Sequence, residues 1–484
     1  MKKVYRAHPL MVFNFLKPFL FVLIFPFITA AIRYFTDRHL TWLFVLEMLA
    51  VTVVILTAII RCIAFRLIIE DNLLTIKTGV LFIRKSKIRI SRLSSFQTEQ
   101  NPLDMLFRAA TCRINTEAGV TRKSDFQFKL KLKEARELLS IIYPDKTISK
   151  VRFSAFKVAI MAAATSSAAT GMILWVPTLR QIANLVGVGI DRALFDGINN
   201  ITSRFHTYFP PIVNIVSLVI LASYAVSFLY SFLKHINFKV SFGEKKIAVQ
   251  SGFFVRTKTY FRRTRVNNIK IEQTPLLRLL HRYTLKVSVG GFDNSKSVSQ
   301  VVVPSGKRRK IQEDFKEFFP FLTHKGKILR PERRPLIQNL FLMWPGIYLL
   351  LMIAAALLSA YFFPSFSRLI QFLTIVCFGF LIIYTHTCLF EYNCGSLKLG
   401  DFVFAQSNYF LNTRELYCPK KNIGQLKITR FPMDRMLGIC RIRLTVCSEN
   451  ADTIRVRHLK YDEAVKELSN TFELDEYFNT KGEK

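Results

Sequence analysis

Apolar residues in this chain gather into six blocks, roughly 11–32, 41–63, 153–176, 211–233, 337–363 and 368–389. Each approaches or exceeds the ~20 residues that a helix needs to cross a bilayer. The blocks come in pairs, and a polar segment with alternating apolar positions follows each pair. The segments QTEQNPLDMLF, KIEQTPLLRLL and KITRFPMDRML place one proline at the same point, Pro102, Pro275 and Pro432. A repeat that long, holding two apolar blocks and one soluble module, is too large for a solenoid and predicts a triplicated membrane protein.

One soluble module shows its elements clearly. FKVSFGEKKIAVQSGFFVRTKTYFRRTRV (238–266) alternates, turns at Gly243 and Gly252, and predicts three strands. FRLIIEDNLLTIKTGVLFIRKSKIRISRL (65–93) matches it, with Asp71-Asn72 and Gly79 at the turns. In the third copy Tyr409 stands where Gly79 and Gly252 align, so its second turn must be built differently. A repeated core then follows, in which Leu93, Val266 and Ile423 align, as do Phe96, Ile269 and Leu426. After the proline, Leu103, Leu106 and Phe107 recur as Leu276, Leu279 and Leu280, and as Met433, Met436 and Leu437. That i, i+3, i+4 spacing is one face of a short helix. Asn101-Pro102 and Thr274-Pro275 suit a capped start, while Phe431 leaves the third copy without a capping side chain. Charged amphipathic helices are expected at 129–143, 307–322 and 459–472. Strands closed by one packing helix make a small β-sandwich or partly open barrel.

Paired apolar blocks followed by a strand-rich module with a PLLRLL-type turn resemble the bacterial pleckstrin-homology (PH) membrane proteins, the YdbT-like group. The resemblance covers nearly the whole chain and implies a PH-like barrel capped by a helix. It implies no enzymatic activity and no site residues; envelope stress or bacteriocin defence is its suggested biology. The expected class is therefore an α-helical membrane protein with six spans in three hairpins and three cytoplasmic PH-like domains, each ending in a helix. The expected division is hairpin 1–64, module 65–146, hairpin 147–234 with an outer loop 177–210, module 235–326, hairpin 327–389, module 390–476 and tail 477–484.

Charge sets the expected topology. Lysine is absent between Lys17 and Lys77, between Lys157 and Lys234, and between Lys327 and Lys398. The short connections inside the pairs carry only Arg33, Arg38, Arg180, Arg192, Arg204 and Arg368, so the positive-inside rule puts both termini and all modules in the cytoplasm. Lys2, Lys3 and Arg6 before the first apolar run imitate a secretory signal. A second apolar run follows closely and the pair recurs without a basic leader, which predicts an uncleaved first span. The eight cysteines include no CxxC and are expected as unpaired, reduced, small apolar residues.

No catalytic constellation, metal-ligand cluster, phosphate-binding glycine loop or cofactor motif is visible, so no enzyme, metal or cofactor is expected. The cations say more. Lys and Arg outnumber Asp and Glu by 17 to 9 over 64–150, by 24 to 7 over 234–336, and by 15 to 13 over 390–484. Tethered near an anionic inner leaflet, such cations each contribute ~1 kcal/mol of attraction. The candidate lipid contacts are Arg89, Arg92, Arg262, Arg263, Arg265, Lys307, Arg308, Arg309 and Lys310. Nucleic acid is not expected, because no basic-aromatic stacking module or helix-turn-helix is present. Glu47 interrupts an apolar block, where a carboxylate marks a pathway, a partner or the headgroup boundary. Ala163, Ser167 and Gly171 form a small-residue face for helix packing, and 177–210 could lie on the outer surface. The expected function is a non-enzymatic scaffold that docks on anionic lipid and binds a partner protein or peptide. The competing expectation is transport of a lipid or peptide through the spans, with Glu47 as coupling group.

Overall fold

The alternating segments form the strands their patterns predict. In a computed structural model, described for residues 2–19, 24, 28–29, 42–79, 82–116, 126–144, 147–167, 211–289, 300–319, 322, 328–332, 345–362, 367–409, 411–446 and 453–472, the segment 65–93 yields β2 (Arg66–Glu70), β3 (Leu73–Thr78) and β4 (Arg84–Arg89). Asp71 and Asn72 take φ of 43° and 67°, the left-handed pair that a two-residue hairpin demands. The second copy yields β9 (Lys239–Gly243), β10 (Lys246–Ser251) and β11 (Arg256–Arg262). The third yields β16 (Ser396–Lys398), β17 (Phe402–Tyr409) and β18 (Asn412–Pro419). Tyr409 pairs directly with Asn412, so this hairpin closes without the glycine used in the other copies.

Each copy also carries a strand that the apolar pattern concealed. β1 (Lys3–Arg6), β8 (Thr147–Arg152) and β15 (Ile328–Leu329) precede the apolar segments and pair antiparallel with β2, β9 and β16. Arg6 faces Arg66, Arg152 faces Lys239 and Leu329 faces Leu397. The chain thus leaves each first sheet and returns to it at the same rung. Only two to six residues long, these strands are too short to show alternation beside a long apolar run.

The second half of each copy is again three strands and a helix. The first has β5 (Leu93–Gln100), β6 (Ala109–Thr116) and β7 (Phe126–Lys131), and the second has β12 (Val266–Gln273), β13 (Tyr283–Val289) and β14 (Gln300–Gly306). The third has β19 (Ile423–Thr429), β20 (Ile439–Val446) and β21 (Thr453–Lys460). The described helices, in chain order, begin with α1 (Met11–Leu16), α2 (Trp42–Ala64), α3 (Pro102–Leu106) and α4 (Leu132–Ile142). Next come α5 (Ala155–Thr165), α6 (Pro211–His235), α7 (Pro275–Leu279) and α8 (Arg308–Phe315). The last are α9 (Pro345–Phe362), α10 (Ser367–Cys394), α11 (Pro432–Met436) and α12 (Tyr461–Phe472). The closing helices α4, α8 and α12 fall where their charged amphipathic patterns put them.

The sheets do not stop at the repeat boundaries. Their strand orders are β1-β2-β3-β4, β7-β6-β5-β11-β10-β9-β8, β14-β13-β12-β18-β17-β16-β15 and β19-β20-β21. The second half of copy one and the first half of copy two are therefore one seven-stranded sheet, joined by β5 to β11 from Ser95–Phe261 to Gln100–Arg256. Copies two and three share another through β12 and β18. The chain accordingly divides into two compact units, one formed by Met1–Arg152 with Lys239–Arg265 and Val289–Ser297, the other by Phe153–Phe238, Val266–Ser288 and Val298–Lys484. Leu67, Leu74, Phe96, Phe128 and Leu138 fill the first core, with Tyr260 packed against them. Leu397, Val403, Leu416, Ile442 and Leu468 fill a core of the second.

The six-span helical class is corrected by this architecture. Among the described residues one helix, Val45–Ala64, is both long and apolar enough to cross a membrane, and the chain is organised around four antiparallel sheets. Apolar composition over ~20 residues licenses a span without requiring one, and α5 is only 11 residues long. The outer loop 177–210, Gly171 and the tail 477–484 lie outside the described residues.

The short helix after each proline forms as expected but faces the other way. Leu103, Leu106 and Phe107 are exposed, while Asp104 between them is fully buried. The Asp104 carboxylate takes Lys129 Nζ at 2.6 Å and the Thr111 hydroxyl at 3.3 Å, and it accepts the Asn101 N–H at 3.4 Å. One inward position on a five-residue helix is enough for an acid so fully satisfied, and the apolar residues take the outside. In the third copy Asp434 repeats this, accepting the Phe431 N–H at 3.1 Å and pairing with Arg441 at 2.9 Å. The second copy buries Leu277 there instead, and the Thr274 hydroxyl makes no capping bond.

Glycine is required where the hairpins turn. Gly252 has φ of +107°, and a Cβ on it would stand 1.9 Å from the Val255 carbonyl oxygen. Gly438 has φ of +65° with open space around it. Gly438→Ala is expected to cost only the left-handed strain, ~1–2 kcal/mol, and Gly252→Ala more than that, because backbone must also move. Thermal unfolding of the two variants should give the larger drop in Tm for Gly252→Ala.

Candidate functional site

The candidate cations lie at the junctions between repeats, and their partners divide them into two groups. The strand β4 ends in a 3-10 turn, Ile90–Arg92, closed by the Leu93 N–H on the Ile90 carbonyl. Arg262, at the end of β11, donates to the carbonyls of Ile90 at 3.0 Å and Ser91 at 3.3 Å. Arg265 donates to Ser91 O at 3.3 Å. These two guanidinium groups tie copy two to copy one. Arg263 is half-buried, with its N–H on the Lys245 carbonyl at 2.9 Å. At the second junction Asn422, which occupies the position of Arg265, donates to the Asn267 carbonyl at 2.9 Å.

Arg308 belongs to this structural group. It reaches from the first turn of α8 to Glu415 on β18 at 3.1 Å, and the Tyr417 hydroxyl donates to the same carboxylate at 3.0 Å. Glu415 is almost wholly buried. Burial pushes its pKa above the usual carboxylate range, against the opposing pull of Arg308 and the Tyr417 hydroxyl. The sequence flagged Arg308 as a surface cation because its partner lies more than 100 residues away. No local spacing could have paired them.

Arg89, Arg92, Lys307 and Lys310 are exposed and form no ion pair among the described residues. Arg309 is exposed and pairs with Glu313 one helical turn away at 2.8 Å, a contact worth a few tenths of a kcal/mol. These five remain available to an external anion.

The first junction also holds a cleft of about 310 Å³ between α4 and the strands β5, β11 and β10. Leu132, Leu139 and Tyr260 supply its apolar wall, and Arg136, Arg256 and Lys258 its cations. Tyr260 stacks on Tyr143 with ring centroids 6.0 Å apart. Lys258 lies over the Tyr260 ring at 5.1 Å. Its pKa is lowered, first by the protein packed around it and then by Arg136, Lys150 and Lys246. Tyr260 faces Phe96 across the junction as Tyr417 faces Ile269 across the other, so Lys258 occupies the place of Glu415. The second junction carries its own counter-anion, and among the described residues the lining of the first cleft holds cations and no acid.

Glu47 is half-exposed in α2, and its carboxylate accepts the Thr29 hydroxyl at 2.8 Å. Among the described residues no group of three or more His, Cys, Asp or Glu could hold a metal. The buried groups that sequence reasoning passed over are Asp104, Asp434 and Glu415. The first two carried a signal, an acid three residues into a helix that starts at proline. Glu415 carried none.

The family model described as Bacterial PH domain matches residues 16–146 and 173–315. No curated protein and no solved structure matches the chain.

Arg308→Met should expose what the buried pair does. Losing one partner of a buried pair costs ~3–5 kcal/mol, and the solvent reaching Arg308 brings the expected loss to about 2–3 kcal/mol. Arg308→Met with Glu415→Leu should recover most of it, as read by thermal unfolding of the full chain. A double variant no more stable than the single one would remove the pair from this account.

Proposed function

Because the chain belongs to the bacterial PH domain family, we propose that it is a non-enzymatic membrane-associated scaffold whose PH-like modules dock on anionic lipid and hold a partner protein or peptide. Its place would be the bacterial cytoplasmic membrane, with the modules on the cytoplasmic side and α2 as an anchor. The observation that carries this reading is the set of exposed cations without acid partners among the described residues, Arg89, Arg92, Lys307 and Lys310, together with the open cationic cleft beside Lys258. A solvated cation that an internal carboxylate leaves unneutralised is free to meet a negative surface. The excess of cations over acids in the first and second copies supports the same role for them. The nearly balanced third copy is the better surface for a protein or peptide, since charge there neither drives nor opposes lipid contact.

Within an anchored protein each such cation adds ~1 kcal/mol of attraction to an anionic leaflet. In proteoliposomes, amides near residues 86–92 and 307–310 should be protected from hydrogen exchange when the lipid is anionic. The protection should fall as salt rises. Converting Arg89, Arg92, Lys307 and Lys310 to Gln should abolish it. Equal exchange in anionic and neutral lipid would leave the cations a topological role only.

A further inference from the structure

The repeated turn after each proline is turned outward in every copy, which a core element has no reason to be. Leu103, Leu106 and Phe107 are 65%, 74% and 54% exposed, and the equivalent Leu279 and Met436 are 76% and 88% exposed. Scattered exposed leucines need no explanation. Three outward apolar turns at the same place in three copies, two of them with a buried acid beneath, do.

Their position points to the occupant. In the first unit, the Cys62 thiol in the last turn of α2 contacts the His8 carbonyl at 3.6 Å, and His8 N–H donates to Lys129 O at 2.8 Å. Lys129 is the partner of Asp104, on α3, and the His8 ring, whose pKa burial lowers, feels the opposing pull of the Asp104 carboxylate and the Phe107 backbone. The foot of the apolar helix and the outward turn are thus joined through one histidine. In the second unit α7 packs against α5, and Arg278 stacks on the Phe390 ring of α10 at 3.9 Å. Arg441, which holds Asp434, lies over Phe431 at 4.5 Å, while Arg457 ties β21 to Glu391 of α10 at 3.2 Å. Each turn sits where a long apolar helix meets its sheet.

Charge complements the apolar tip. Arg108 follows Phe107 directly and is exposed, and Lys131, also exposed, faces Ala109 across the β6–β7 ladder. An apolar tip with a cationic rim, at the foot of a helix whose flank is itself almost wholly unburied, matches the boundary between acyl chains and headgroups.

We propose that Leu103, Leu106 and Phe107, with Leu279, Leu280 and Met436 in the other copies, seat each module in the lipid interface as a shallow apolar anchor. The proposal deepens the docking reading by naming the part that enters the lipid, and it rests on that reading only for the side of the membrane. Burial of these side chains needs no anionic lipid, whereas docking by the surface cations does.

The test places a photoreactive diazirine side chain at position 106 in the full chain, reconstituted in liposomes of neutral phospholipid and, separately, of anionic phospholipid. The adduct is identified by mass after illumination in low and in high salt. Phospholipid adducts at position 106 in both liposomes, undiminished by salt, are expected. Addition of water alone, or a crosslink to a second polypeptide, would overturn the anchor. Lipid adducts alongside cation-independent hydrogen exchange would mean that the anchor stands and electrostatic docking falls. As a second readout, Leu106→Gln with Phe107→Gln should raise amide exchange around 102–108 at least ten-fold in neutral liposomes, with Tm unchanged because both positions are outside the core. Unchanged exchange in that variant would likewise sink the proposal.

Discussion

Everything in this protein hangs on two rows of backbone hydrogen bonds, β5 to β11 and β12 to β18. A three- or four-stranded half-sandwich leaves a strand edge with unpaired N–H and C=O groups, and such an edge must be covered or paired. Here the last half of one repeat pairs its edge with the first half of the next. The consequence is that a repeat in the sequence is not a unit in space, since each shared sheet belongs to two copies. Residues at the joints are therefore released from the common pattern and free to diverge.

That freedom explains the different fates of matching residues. Arg89 and Arg262 hold equivalent places at the end of a fourth strand, yet Arg89 is exposed while Arg262 caps the carbonyls of the preceding copy's turn. Lys258 and Glu415 likewise occupy one place at two junctions, and their opposite signs give one open cationic cleft and one internally neutralised contact. A buried carboxylate is tolerable only with a partner, and a cation at a cleft mouth is tolerable in water. The proposed attraction to anionic lipid follows from this asymmetry more than from net charge.

The short helix after the proline shows a second constraint, on the inside of each module. Asp104 and Asp434 turn inward because three kinds of donor wait for them: a helix-start N–H, a neighbouring basic side chain and, for Asp104, a threonine hydroxyl. The helix is too short to bury an acid and an apolar stripe together. Satisfying the acid expels the stripe, and the proposed lipid anchor is what an expelled stripe at the foot of an apolar helix can do.

The sequence by itself determined the three-fold register, the central strands at 65–93 and 238–266, the altered turn at Tyr409, the helix after each proline and the closing amphipathic helices. All of these are local patterns, where side-chain period and turn chemistry act within about ten residues. Tertiary structure alone decided the rest. It paired β1, β8 and β15 with strands beyond the apolar segments, fused half-repeats into seven-stranded sheets, and overturned the six-span helical class. It also sorted the cations, making ties of Arg262, Arg265 and Arg308 and leaving Arg89, Arg92, Lys307 and Lys310 to solvent. Partners separated by 107 to 174 residues leave no period to read, so which charge is spent inside and which is offered outside becomes visible only when the strands have met.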